Sequence, residues 1–172
     1  MAADIDPTNP GLEMWSSDSH GLLSIRGEVI AKKAPRSINF GIWWDGDLLR
    51  ELLDREQVQK YNWKTHETET IMRFDGCRFN NWTKSTPCLC ADIIGDWREE
   101  VLVRNESSTE LRLYVSTHPT DYRIDCLMQD LPYRLSVATQ NVGYNQPPET
   151  GYYLGPDKGS RHFIRNIPQN KP

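Results

Sequence analysis

The chain has 172 residues, the length of one domain or of a piece of a larger protein. Hydrophobic residues make up 37% and charged residues 26%, with six Trp and seven Tyr, which excludes the low-aromatic composition of a disordered chain. Twenty Lys and Arg against 24 Asp and Glu leave a net charge of −4, so the basic excess that draws proteins to nucleic acid is absent, and apolar stretches as short as Val101–Val103 fall far below the roughly 18 residues needed to cross a bilayer.

Residues 1–7 have neither the basic region nor the apolar stretch of a signal peptide. The Asp4-Ile5-Asp6 motif lies so close to the first residue that it reads as the opening of a fragment. Leu12–Trp15 and Leu22–Ile25 flank a turn at Asp18-Ser19-His20-Gly21 and read as a hairpin. Ile38–Trp44 is a β-prone run closed by the turn signal Asp45-Gly46-Asp47. Leu48–Arg55 then takes a helical pattern, with Leu48, Leu49, Leu52 and Leu53 on one side and an aspartate placed to cap it. Strands are expected at Thr70–Phe74, Cys88–Ile93, Glu100–Arg104 and Leu111–Ser116, a short helix at Tyr133–Gln140, and loop at Gln146–Pro148 and after Gly155.

One echo bears on the fold. Ala3-Asp4-Ile5 recurs as Ala91-Asp92-Ile93, and each copy is followed by an acidic residue opening a strand, at Glu13 and Glu100. Propeller blades repeat every 40–50 residues or so, and the offset of 88 fits two of them, or one with a long insertion.

Asp92, Asp96 and Glu100 space oxygen donors along a loop whose Gly95 permits a tight turn, the donor type and shape that calcium requires. The other reading is an ordinary Asp/Gly turn. Asp4, Asp6 and Glu13 make a second candidate. Asn80–Pro87 is a polar loop suited to sugar hydroxyls or simply to water, and Trp82 and Trp97, set in polar loops, are the two indoles expected to face solvent. The four cysteines form no Cys-x-x-Cys pair, which argues against structural zinc and leaves disulfides and free thiols equally open. No histidine has metal-ligand spacing.

Several longer stretches carry a family likeness: residues 3–7 with 10–15, Asn39–Asp47, Thr83-Lys84 with Thr86–Leu89, Ala91–Val101 and Gln140–Pro148. In this order they resemble the C-terminal part of the rhamnogalacturonan lyases of polysaccharide lyase family 11, over about residues 2–155. The resemblance implies an all-β fold: residues 1–155 as about two to three blades of an eight-bladed β-propeller with one or two short helices, and 156–172 as a flexible tail. It implies Ca2+ as cofactor, an extracellular parent enzyme, and cleavage of rhamnose–galacturonate bonds of the pectic polymer rhamnogalacturonan I by β-elimination. Lys84 matches the family's catalytic lysine, and Asn81, Thr83 and Tyr144 match residues that hold the sugar. Where the family commonly has Gly this chain has Trp82, which adds an indole to a subsite or reshapes the loop. The family's catalytic Arg falls upstream of Met1, so the remaining blades are the expected partner. The alternative is a non-catalytic, calcium-stabilised carbohydrate-binding or adhesion module.

Overall fold

The computed structural model describes residues 1–142 and 146–156, with the backbone of 164–166. Among these residues, three antiparallel four-stranded sheets follow one another along the chain. The first runs in the order β1 (Ala2–Ala3), β2 (Glu13–Met14), β3 (Leu22–Leu23), β4 (Val29–Ala31). The second runs β5 (Phe40–Ile42), β6 (Glu51–Asp54), β7 (Gln57–Asn62), β8 (Glu67–Arg73). In the third, β9 (Cys77–Arg78) and β10 (Leu89–Ala91) both pair with β11 (Glu100–Asn105), which also pairs with β12 (Leu111–Tyr114).

Two apolar layers hold the sheets together. Ala3, Ile5, Trp15 and Leu22 of the first sheet meet Leu52 and Tyr61 of the second. Phe40, Ile42, Leu53 and Val58 of the second meet Cys90, Val101 and Val103 of the third. The middle sheet is therefore covered on both faces, and this corrects the helix expected over Leu48–Arg55. Adjacent Leu52 and Leu53 point to opposite faces, each fully buried, so the leucines mark a two-sided strand, β6, and not a helical stripe. Its two-residue loop to β7, Arg55-Glu56, has both φ angles positive, at 50° and 56°, the arrangement that suits the twist of a tight hairpin.

The other elements cap the sheets. Helix α1 (Leu131–Thr139) begins two residues before the expected start, because the Asp130 side chain accepts from the Tyr133 N–H at 3.1 Å and Pro132 fits the first turn. Trp97, expected to face solvent, is 1% exposed. Residues 122–137 and 152–154 supply its cover, and Trp97 packs with Trp43, Ile124, Leu127, Tyr133 and Leu154. Strand β13 (Tyr122–Ile124) pairs with β14 (Ile164–Asn166), where loop is expected. The expected flexible tail otherwise falls outside the described residues, as does Tyr144. All four cysteines are thiols.

Candidate functional site

Each sheet contains the same hairpin, β1–β2, β5–β6 and β10–β11. Its two strands pair Ala3 with Glu13, Ile42 with Glu51 and Ala91 with Glu100. In each, one glutamate oxygen turns back to accept two backbone N–H groups of the loop: Ile5 and Asp6 for Glu13 at 2.9 and 3.0 Å, Trp44 and Asp45 for Glu51 at 2.8 and 3.1 Å, and Ile93 and Ile94 for Glu100 at 2.7 and 2.9 Å. The sequence echo joins only the outer copies. The middle copy lies 39 residues after the first and 49 before the third, and Trp43-Trp44 stands where the others have Asp-Ile.

The three hairpins differ in what balances their carboxylates. In the first, Glu13 is fully buried and its second oxygen, Oε1, has no hydrogen-bond partner among the described residues. Burial, with the Asp4 and Asp6 charges adding to it, pushes the Glu13 pKa up to about 8. Asp4 takes the Tyr153 hydroxyl, and Asp6 is held by Thr8 and Asn9. In the second, oxygens of Asp45, Asp47 and Glu51 lie within 4.8 Å of one another. Lys60 Nζ reaches Asp47 at 2.6 Å and Glu51 at 3.0 Å, and also touches Asp45. In the third, both Asp92 oxygens accept backbone N–H groups, from Gly95, Trp97 and Leu127, while Asp96 pairs with Arg98. The first hairpin has a buried carboxylate oxygen that lacks a donor, with further carboxylates beside it, although among the described residues only the second brings three carboxylate oxygens within 4.8 Å of one another. The second already holds an ammonium, and at Asp92 the chain's own amides do the balancing.

Antiparallel order puts the β6–β7 loop and the connection 79–88 at the opposite end of the sheets. Asn80 and Thr86 bridge through two backbone hydrogen bonds of 2.7 and 3.0 Å, closing a loop whose tip is the 3-10 turn Trp82–Lys84. Asn81 donates to Thr86 Oγ1 at 2.7 Å. Asn39 clamps the turn from the connection before β5, bonding the Lys84 carbonyl at 2.5 Å and Asp54 at 2.6 Å. The fold thus brings Asn81, Trp82, Thr83 and Lys84 together, all exposed. A cleft of about 880 Å³ lies along the turn, lined by Asn81, Trp82, Arg78, Arg104, Asn141 and Glu56, and a second cavity of about 410 Å³ lies between Trp82, Thr83 and Arg55. The arginines carried no local signal, since positions 55, 78 and 104 are far apart in sequence. Strand register unites two of them, pairing Arg78 with Arg104.

A buried network ties the hairpin end to the C-terminal segment. Arg50 lies 3.8 Å over the Trp43 ring and pairs with Glu99 at 3.3 Å and Glu149 at 3.0 Å. Tyr133 donates to Glu99 at 2.8 Å and accepts from the Asp92 N–H at 2.9 Å. Burial raises the Glu99 pKa to about 7 despite Arg50.

This frame of successive antiparallel sheets is that of solved polysaccharide lyases. A Bacillus licheniformis rhamnogalacturonan lyase superposes on 90% of the chain with TM-score 0.87 and 52% identity, and the exotype lyase YesX on 93% with TM-score 0.85 and 43% identity, using 26% and 30% of those chains. The family model for the C-terminal domain of rhamnogalacturonan lyase family 11 matches residues 1–162, and the chain belongs to that family. Among curated proteins, the Bacillus subtilis rhamnogalacturonan endolyase YesW is 50% identical and the exolyase YesX 46% identical, each over 90% of this chain. The chain spans about a quarter of their length, 25% and 28%.

Proposed function

We propose that the chain forms three neighbouring blades of a β-propeller rhamnogalacturonan lyase and carries the lysine-bearing part of its active site. The observation that carries this reading is the exposed Asn81–Lys84 turn, which lends Asn81 and Trp82 to the lining of the larger cleft while Lys84 lines neither cavity, in a chain of the lyase family. The hairpin spacings of 39 and 49 residues agree with the rough 40–50-residue period of blades. Exposed Val29 on β4, and Leu111 and Leu113 on β12, leave apolar surface on both outer sheets for further blades to cover.

The substrate is rhamnogalacturonan I. In β-elimination a base removes the proton at C5 of the galacturonate, and the C5–H electron pair becomes the C4=C5 double bond. The C4–O bond breaks, and the departing oxygen leaves with its electron pair and is protonated. Positive charge near the uronate carboxylate acidifies H5. Lys84 supplies that charge or accepts the proton, Asn81, Thr83 and Tyr144 hold sugar hydroxyls, and an arginine from the remaining blades completes the set. Calcium, when bound, would cross-link carboxylates and rigidify the hairpin end, with Asp4, Asp6 and Glu13 holding it in the first blade. The Asp92, Asp96 and Glu100 loop is the weaker candidate.

A chimera tests the proposal: YesW with its matching C-terminal quarter replaced by this chain, given rhamnogalacturonan I. Growth of the ultraviolet absorbance of the unsaturated uronate, abolished by Lys84→Ala, is expected. A folded chimera that binds the polymer without cleaving it refutes the assignment and leaves a binding module.

A further inference from the structure

Trp82 is 97% exposed, whereas Trp15, Trp43, Trp44 and Trp97 are each 3% exposed or less and Trp63 is half-buried. A bare indole forgoes burial that the fold gives the other tryptophans, and its backbone is strained as well, with φ at 52°. That strain runs through the turn, since Asn81 and Ser85 also have positive φ, at 60° and 45°, and all three residues line the cavities. Such conformations persist where the surrounding structure enforces them, and they cluster at ligand sites.

The indole stands between the two cavities. The smaller, about 410 Å³, lies within the rough 300–1,000 Å³ range of small-molecule sites. One wall is the Trp82 ring, the other the exposed Arg55, set on the two-residue β6–β7 loop. The facing carboxylate, Glu56, is tied down by the Phe79 N–H at 3.1 Å. Arg78 and Arg104 continue the positive lining into the larger cleft, where Arg104 is steadied by Asn80 at 3.1 Å and Ser108 at 2.9 Å. A flat aromatic face suits the C–H face of a pyranose ring, and a guanidinium suits a carboxylate.

We infer that Trp82 and Arg55 form an additional subsite beside the Asn81–Lys84 turn, one that takes a uronate ring stacked on the indole with its carboxylate on the guanidinium. The subsite rests on the lyase reading of that turn and adds to it a residue pair that selects acidic sugar. Trp82→Gly is a clean probe, because glycine removes the indole and relieves the left-handed backbone, so the loop keeps its shape.

The test titrates the 172-residue chain with rhamnogalacturonan oligosaccharides, native and carboxyl-reduced, following acrylamide quenching of tryptophan emission. Native oligosaccharide is expected to shield one indole in the wild type. Trp82→Phe should keep most of the affinity, whereas Trp82→Gly should lose roughly tenfold or more and the shielding with it. Arg55→Gln should weaken binding of the native oligosaccharide and leave the reduced one unchanged. In the YesW chimera, Trp82→Gly should raise KM with kcat kept. Equal affinity of Trp82→Gly and wild type, or no shielding together with an unchanged chimera KM, overturns the subsite while the lyase reading stands. Shielding of Trp82 in the absence of any chimera turnover overturns the lyase reading and leaves the sugar site.

Discussion

Replacing Lys60 by methionine removes the one cation from a group of three carboxylates. Burial opposes the Lys60 charge, but Glu51, Asp45 and Asp47 hold its pKa above the ordinary lysine value, so in the wild type it stays charged. Deleting one partner of a buried ion pair costs roughly 3–5 kcal/mol. Here Glu51 is 0% exposed, whereas Lys60 is 26% and Asp47 46% exposed, and solvent screening at the open side lowers the loss to about 2–3 kcal/mol. At roughly 2–4 °C per kcal/mol for a chain of this size, the melting temperature in chelator should fall by about 5–10 °C. The three oxygens, within 4.8 Å of one another, are then free for an oxygen-seeking divalent cation. Calcium at about a hundred times its Kd would restore about 2.7 kcal/mol. Circular dichroism melts of wild type and Lys60→Met, each in chelator and in calcium, read both effects. Equal melting temperatures in chelator would refute the reasoning.

Three further outcomes follow from the same geometry. Glu13 at about 8 and Glu99 at about 7, against 4.5 for an ordinary glutamate, bind protons more tightly folded than unfolded. Metal-free stability should therefore fall as pH rises from about 4.5 towards 8, and calcium should flatten the fall by favouring ionised Glu13; melts across pH that rise instead would contradict this. Tyr133→Phe takes a donor from buried Glu99 and an acceptor from the Asp92 N–H, so chemical denaturation should show a loss of about 2–4 kcal/mol. In the YesW chimera, Lys84→Arg keeps the charge and should hold kcat within about tenfold, whereas Lys84→Ala should lose roughly 10²–10⁴-fold; equal losses in initial-rate assays would assign Lys84 to proton abstraction.

Strands β1, β4, β7, β9, β13 and β14 were not anticipated, whereas β2, β3, β5, β8, β10, β11 and β12 were legible because their solvent-facing sides break the apolar runs and turn residues bound them. β6 was not, because a strand covered on both faces lacks that alternation, and Leu48, Leu49, Leu52 and Leu53 satisfy a helical stripe equally well. Trp97 was misplaced for a related reason: its neighbours Asp96, Arg98 and Glu99 are polar, and the apolar residues that bury it lie 25 or more positions away, Trp43 and Leu48 upstream and Ile124, Leu127, Tyr133 and Leu154 downstream. At the site, Asn81, Trp82, Thr83 and Lys84 were readable as one contiguous polar loop. The arginines around them were not, since only strand pairing and the β6–β7 turn bring positions 55, 78 and 104 to one end. The middle acidic hairpin escaped notice because tryptophans stand where the residues that made the echo visible would be, while Asp45 and Asp47 read as a turn and a helix cap and Glu51 as part of the expected helix.

The contact between Tyr153 and Asp4 joins residues 149 positions apart. At roughly 5–20 residues per second of synthesis, Tyr153 leaves the ribosome some 7–30 s after Asp4. Throughout that interval the first acidic hairpin can close with its own backbone N–H groups, but it must wait for the tyrosine that caps it. The hairpin is therefore built first and sealed last, so its carboxylates stay open to an ion while most of the chain is still being made.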